Sequence, residues 1–257
     1  MESGFVGLNW EMPQASPVLH ESEVHLWSVP LNGPSAVGAE YSRWLAPHER
    51  ERAMCFRDSL EEQRFVRAHV ALRAILAEYC PYHPAQFSFG YNTFGKPHLD
   101  TASQRWLRFS IAHSTDQLLC AIAKNREVGV DLERIDTAIP IDELARSFFT
   151  PREQTLLQSL PLLQRQRTFF AYWTRKEAVV KAHGMGLSLP LDSFEIDPVT
   201  GHGPQVVSIR NSVMPARCWS LHDIAYLPEF AAALAVEGEH SIIRPLRWSW
   251  QQLGSYL

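Results

Sequence analysis

Cysteine is scarce in this chain, and the four present, Cys55, Cys80, Cys120 and Cys218, stand too far apart to form a Cys-x-x-Cys pair. That spacing excludes a zinc ribbon or a dithiol redox motif, and Cys120, inside an apolar run, reads as core. The eleven histidines are scattered without zinc-ligand spacing. No apolar run reaches membrane length, and Glu2, Asn9 and Glu11 come so early that no signal peptide is expected. Neither sign of charge dominates, since 24 Lys and Arg against 28 Asp and Glu give a net charge of -4. Bulk electrostatics therefore offers no footprint of nucleic-acid binding. A Gly-x-x-x-x-Gly-Lys phosphate loop is also missing, and Gly95-Lys96-Pro97 does not replace one. The expectation is a cytoplasmic protein with reduced thiols and no affinity for nucleic acid or membrane.

What the chain does hold is enough apolar material, 46% of 257 residues, for one large or two small domains. An early strand is expected at His25–Val29, closed by Pro30. A helix is expected from about Leu60 to Tyr79, with Phe65, His69, Leu72, Ile75, Leu76 and Tyr79 near one face and Pro81 ending it. Strands follow at about 106–111, 118–123 and 127–133, with a turn at Lys124-Asn125-Arg126-Glu127. Thr150-Pro151-Arg152-Glu153 is a capping box that starts a helix. Another helix runs from about Gln164 to a stop at Gly184 and Gly186. Strand-like segments return near 194–196, 205–209, 218–224 and 230–236. This order does not alternate as a doubly wound sheet would; it reads as α+β, two similar halves joined near residues 124–127.

Two short blocks concentrate the chemistry. In Gly129-Val130-Asp131-Leu132-Glu133, strand alternation points Asp131 and Glu133 one way and Val130 and Leu132 into the core. In Trp173-Thr174-Arg175-Lys176-Glu177-Ala178-Val179-Val180-Lys181, Glu177 and Lys181 are four apart and share a helix face, one turn after Trp173. Either block alone is commonly a solvated strand face or a surface ion pair. Packed together, they bring three hard oxygen ligands beside two lysines, a site for a hard divalent ion and a phosphate-rich ligand.

At these residues the chain resembles the 4'-phosphopantetheinyl transferase superfamily, in its larger surfactin-synthetase-activating type. The family pattern is a Gly-hydrophobic-Asp-hydrophobic-Glu strand followed by Trp-x-x-Lys-Glu-Ala-x-x-Lys, and both are present. The likeness extends through Ser188-Leu189-Pro190-Leu191-Asp192-Ser193-Phe194, the Gly95-Lys96-Pro97 turn, and Phe109-Ser110-Ile111-Ala112-His113-Ser114, so that four ordered motifs span roughly residues 45 to 196. Ala112 stands where the family commonly has serine, and Ser110 where it has asparagine.

The resemblance implies two pseudosymmetric α+β halves with the active site in the cleft between them. Residues 1–125 would form the coenzyme A nucleotide side. Residues 126–257 would carry the metal and the catalytic helix, with the tail from about residue 237, including Trp248 and Trp250, packing back on the first half. The implied reaction transfers the 4'-phosphopantetheine arm of coenzyme A to a serine of an apo acyl, peptidyl or aryl carrier protein, releasing adenosine 3',5'-bisphosphate. Asp131, Glu133 and Glu177 would hold Mg2+, with Mn2+ as a substitute. Glu177 would deprotonate the serine, Lys181 would neutralise or protonate the leaving phosphate, and Lys176 would bind phosphates. Arg52 and Arg64 fall where the family binds the 3'-phosphate, Lys96 and Pro97 at the adenosine end, and His113 and Ser114 at the pyrophosphate. Trp27 and Trp173 read as packing. A monomer is expected, since one chain supplies both sides of the cleft. Another Mg2+-dependent phosphoryl transferase and a non-catalytic carrier-binding relative are the alternatives, and the latter would be expected to have lost a carboxylate or the helix lysine.

Overall fold

The computed structural model describes residues 8–33, 41–197, 205–209 and 219–256. The first strand, β1 (Glu23–Pro30), is buried on both faces. Helices α1 (Pro47–Met54) and α2 (Ser59–Ala77) follow, and Asp58 opens α2 by accepting from the Leu60 N–H. A small hairpin of β2 (Phe89–Tyr91) and β3 (Pro97–Leu99) carries the Gly-Lys-Pro turn. Strands β4 (Leu107–Ser114), β5 (Gln117–Lys124) and β6 (Val128–Arg134) come next. Three helices follow, α3 (Ile141–Phe148), α4 (Pro151–Ser159) and α5 (Leu162–His183). The remaining strands are β7 (Phe194–Asp197), β8 (Gln205–Ile209), β9 (Trp219–Asp223), β10 (Phe230–Glu237) and β11 (Ile242–Arg247).

Two sheets organise the molecule. One has the order β11-β1-β5-β4, and the other β6-β10-β9. Alternation along the strands gives each sheet two apolar faces. Trp27, Val29, Leu118, Cys120 and Ile122 of the first sheet pack under α2, where Val70, Leu72 and Ile75 are buried. Val24, Leu26, Leu119 and Ala121 on its other face meet Val130, Leu132, Leu234 and Val236 of the second sheet. The outer face of the second sheet is built from small residues, Ala233 and Ala235, against which α5 packs Ala178, Val179 and Ala182. The layers run helix, sheet, sheet, helix, a mixed α+β architecture in which the two halves share a sheet-on-sheet core.

The last strand crosses between the halves. β11 lies parallel to β1, with Glu23 opposite Ile242 and Trp27 opposite Leu246. Pro245 is tolerated because β11 is an edge strand. Trp248 is buried beyond it, edge-on to Trp27 at 6.4 Å, so the segment after 237 belongs to the core of the first half.

Helix α5 sets the position of the site. It ends at Gly184, whose left-handed backbone (φ 78°) bonds its N–H to the Val180 carbonyl. The hairpin loop caps that end from outside: Asn92 Nδ2 donates to the Gly184 carbonyl at 2.7 Å, and Lys96 Nζ donates to the Ala182 carbonyl at 2.8 Å. On β6, Gly129 leaves room for the helix, since a Cβ there would overlap the Ala178 carbonyl oxygen and the Ala182 nitrogen.

Candidate active site

With Gly129 pressed against α5, strand alternation turns Asp131 and Glu133 to the same helix. Asp131 is 3% exposed, and Lys181 reaches it from α5, Nζ to Oδ1 at 2.7 Å. The second oxygen, Oδ2, is buried without a hydrogen-bond partner. Burial raises the Asp131 pKa, while the Lys181 charge and the Leu132 N–H oppose the rise. Desolvation, then the charge of Asp131, pushes Glu133 up to about 7. Glu177 is raised by desolvation first and by Asp131 second. The three carboxylates thus press on one another in a poorly solvated space, the electrostatic condition a cation relieves.

Among the described residues, no three carboxylate, histidine or cysteine side chains converge closely enough to form a ready ligand cluster. Lys181 instead holds Asp131. The donor set is nonetheless all oxygen, mutually repelling, and includes the unpartnered Asp131 Oδ2. These residues fit a hard divalent ion.

Glu177 and Lys181 form part of the wall of a cavity of about 660 Å3. Its other walls are Gly95, Lys96 and Pro97 of the hairpin, Ser110 and Ile111 of β4, Phe148 of α3, Trp173 and Val180 of α5, and Leu187 and Leu189. Both halves contribute, and the cavity is largely apolar, with Glu177 and Lys181 of α5, Lys96 and Asp192 as its charged lining residues.

The remaining expected residues divide. Ser114, at the end of β4, donates to Glu133 Oε2 at 3.4 Å. His113 is exposed on that strand, its pKa held below the ordinary value by partial desolvation and then by the charge of Lys181. The charge of Arg64 also reaches His113, while Arg64 itself bonds Asp116 Oδ1 through Nε at 2.9 Å and Nη2 at 2.6 Å. Asp131, Glu133, Glu177, Lys181, Ser114, His113 and Arg64 are therefore one connected neighbourhood. Arg52 is tied elsewhere: it is exposed on α1 with its guanidinium 5.6 Å from the Phe65 ring centre.

Two expectations are corrected. Lys176 does not reach this site, because adjacent residues on a helix point about 100° apart. It is fully buried on the opposite side of α5, bonded to the Leu191 and Phe194 carbonyls at 2.8 and 2.6 Å and paired with Glu153 at 3.0 Å. Glu153 in turn accepts from the Thr150 N–H that it caps and from the Ile196 N–H, so the pair fastens α4 and β7 to α5. Lys96 has no donor left for a nucleotide, since its three ammonium hydrogens are met by Glu127 at 2.6 Å, the Ala182 carbonyl and the Val128 carbonyl. Lys96 and Pro97 both border the cavity. Ala112, where a polar contact was in question, is 5% exposed and lies in the core between the sheets.

Other contributors were not foreseen. Arg175 grips Asp223 of β9 through Nε and Nη2 at 2.8 and 2.6 Å, fixing α5 in rotation against its sheet. The wall formed by Phe148 and Leu187 was equally unread, although the apolar Phe148-Phe149 pair before Thr150-Pro151 was its signal.

The chain is similar to proteins of one family. Residues 127–235 match the model of the 4'-phosphopantetheinyl transferase superfamily. The chain is 36% identical over 230 residues to the 4'-phosphopantetheinyl transferase HetI of a Nostoc species, covering 89% of this chain and 94% of that protein. A 4'-phosphopantetheinyl transferase of Bacillus subtilis is 31% identical over 173 residues, 66% of this chain and 75% of that protein. A crystal structure of a holo-(acyl-carrier-protein) synthase from Bacillus anthracis, in complex with coenzyme A (3',5'-ADP), aligns at 18% identity over 45% of this chain and 96% of that one, with a TM-score of 0.38.

Proposed function

The chain belongs to the 4'-phosphopantetheinyl transferase superfamily, and on that premise we propose how its residues transfer the 4'-phosphopantetheine arm of coenzyme A to a serine of an apo carrier protein. The observation that supports the assignment of roles is that Glu177 and Lys181 line a cavity to which both halves contribute, with Asp131 bonded to Lys181 behind that wall and Glu133 coupled by charge to Asp131 and Glu177.

Asp131, Glu133 and Glu177 would hold Mg2+, which, when bound, offsets the charge of the pyrophosphate. Glu177 takes the proton of the attacking serine. Its place on the cavity wall and its raised pKa support this, since a base works best with a pKa nearer the operating pH than an ordinary carboxylate has. Lys181 stands beside the leaving phosphate, and its bond to Asp131 aims it there. Arg64 supplies a neighbouring guanidinium suited to the nucleotide phosphates once it exchanges its pairing with Asp116 and Glu61 for theirs, and His113, whose lowered pKa favours the neutral ring, offers a hydrogen bond. Arg52 is kept as a contact to the 3'-phosphate at the rim, with no role in the chemistry. The apolar wall of Phe148, Trp173, Leu187 and Leu189 excludes water from the reacting centre.

Residues 1–125 would serve the nucleotide side and 126–257 the metal and catalytic helix, in a monomer, because both walls of the cavity come from one chain. Free Cys55, Cys80 and Cys120 support work in the reducing cytoplasm, and no helix among the described residues is long and apolar enough to cross a membrane. The acyl, peptidyl or aryl nature of the carrier is left to assay. Incubation with coenzyme A, Mg2+ and an apo carrier of each type, read by the mass of the carrier, tests the proposal. Gain of one phosphopantetheine with release of adenosine 3',5'-bisphosphate is the expected result, and an unchanged carrier of every type would overturn it.

A further inference from the structure

The edge strands β4 and β6 belong to different sheets, yet they run side by side in parallel and are joined by side chains in place of a backbone ladder. Ser110 Oγ accepts the Val130 N–H at 3.1 Å, and Ser114 Oγ accepts the Arg134 N–H at 3.0 Å. Two hydroxyls four residues apart meet two amides four residues apart, and the stretch between those amides carries Asp131 and Glu133. The two serines differ in one respect. Ser110 is 7% exposed and, although it also borders the cavity, its hydroxyl bonds across the seam without reaching Glu133, whereas Ser114 also turns its proton to Glu133 Oε2 at 3.4 Å. A hydroxyl has one donor and two acceptor sites, so both Ser114 bonds are made at once.

Glu133 needs such a partner. Asp131 and Glu177 both repel its charge, and a surface-ward rotamer would relieve the repulsion at the cost of the site. We propose that Ser114 is a positioning residue: its hydroxyl, anchored on the Arg134 amide, holds the Glu133 carboxylate toward Asp131 and Glu177, and so organises the divalent-ion site without contacting substrate. This rests on the metal reading given above. A bond that orients a ligand typically changes metal affinity ten- to a hundredfold, and that effect is separable from the seam, because Ser110 bonds across the seam without a bond to Glu133.

The test compares Mn2+ binding, followed by the loss of its free paramagnetic signal on titration, and thermal unfolding for the full-length wild type, Ser114→Ala, Ser114→Thr and Ser110→Ala. Ser110→Ala should lower the melting temperature more than Ser114→Ala, since it strands the buried Val130 amide, whereas the Arg134 amide released by Ser114→Ala is open to water. Only Ser114→Ala should weaken Mn2+ by about tenfold or more, and Ser114→Thr, which keeps the hydroxyl and suits a strand, should restore the affinity. Unchanged Mn2+ affinity in Ser114→Ala, or an equal loss in Ser110→Ala, would overturn the proposal while leaving the metal site standing. A wild type that transfers the arm yet binds no Mn2+ would overturn both the metal reading and this inference.

Discussion

Lys181 Nζ lies 2.7 Å from Asp131 Oδ1, while Asp131 Oδ2 is buried and unpartnered. One oxygen of the strand carboxylate thus orients the helix lysine, and the other makes no hydrogen bond. The pairing depends on α5 lying low over β6, which only a residue without a Cβ at position 129 permits.

Gly129→Ala is therefore expected to act at a distance from its own methyl group. The added Cβ would overlap the α5 backbone, which can only slide away, taking Glu177 and Lys181 with it. A destabilisation of about 1–3 kcal/mol by urea unfolding is expected from such overpacking, with transfer activity lost beyond what the remaining folded fraction explains.

Lys176→Ala separates the two readings of the Lys-Glu pair in the helix. As a buried partner of Glu153 it should cost about 3–5 kcal/mol when removed, because an uncompensated charge stays behind. Near-native stability with a specific loss of coenzyme A affinity, measured by calorimetry, would return Lys176 to the phosphates.

Acid should weaken the fold through its buried histidines. His25 bonds Tyr79 Oη at 2.8 Å and faces Glu23 at 3.6 Å, with Arg244 and His20 also nearby, and burial lowers its pKa below 6.5. Below about pH 6.5 the unfolded chain takes up the proton that folded His25 refuses, so stability present at neutral pH is lost as pH falls, by at most about 1.4 kcal/mol per unit. Glu133, pushed up to about 7, acts in the opposite direction over the same range, so the check is a comparison: from pH 7.5 to 5.5 the urea midpoint of the wild type should fall relative to that of His25→Gln.

Metal addition should release protons. Glu133 is pushed up to about 7 and so is partly protonated at pH 6.5, yet a carboxylate must ionise to ligate. Titration of Mn2+ into the protein at pH 6.5, in buffers of different ionisation heat, should show proton release that shrinks at pH 8.5.

Much of this was legible in the sequence because the signals were local. Alternation in 129–133, the i, i+4 spacing of Glu177 and Lys181, the Thr150 capping box and the Gly184 stop each follow from a few neighbouring residues, and the strands and helices built from them lie within a residue or two of expectation. What stayed hidden needed long-range partners. β11 contains Pro245 and is a strand only because β1 offers it an edge, and α3 is a short helix whose end helps line the cavity. The motif lysines Lys176 and Lys96 read as ligands through the family resemblance, whereas their partners, Glu153 and Glu127, lie 23 and 31 residues away. Spacing along a helix gives a direction, and what waits in that direction is set by the rest of the chain.

Glu177→Gln tests the central claim most directly, since it keeps the size and one oxygen of the side chain while removing its charge and basicity. The measurement is single-turnover transfer from coenzyme A to an apo carrier at saturating Mg2+, with folding checked by melting. The account predicts a native-like fold and a rate lowered on the order of a hundredfold or more. Transfer at the wild-type rate would mean that Glu177 neither takes the serine proton nor holds the ion, and would contradict the mechanism.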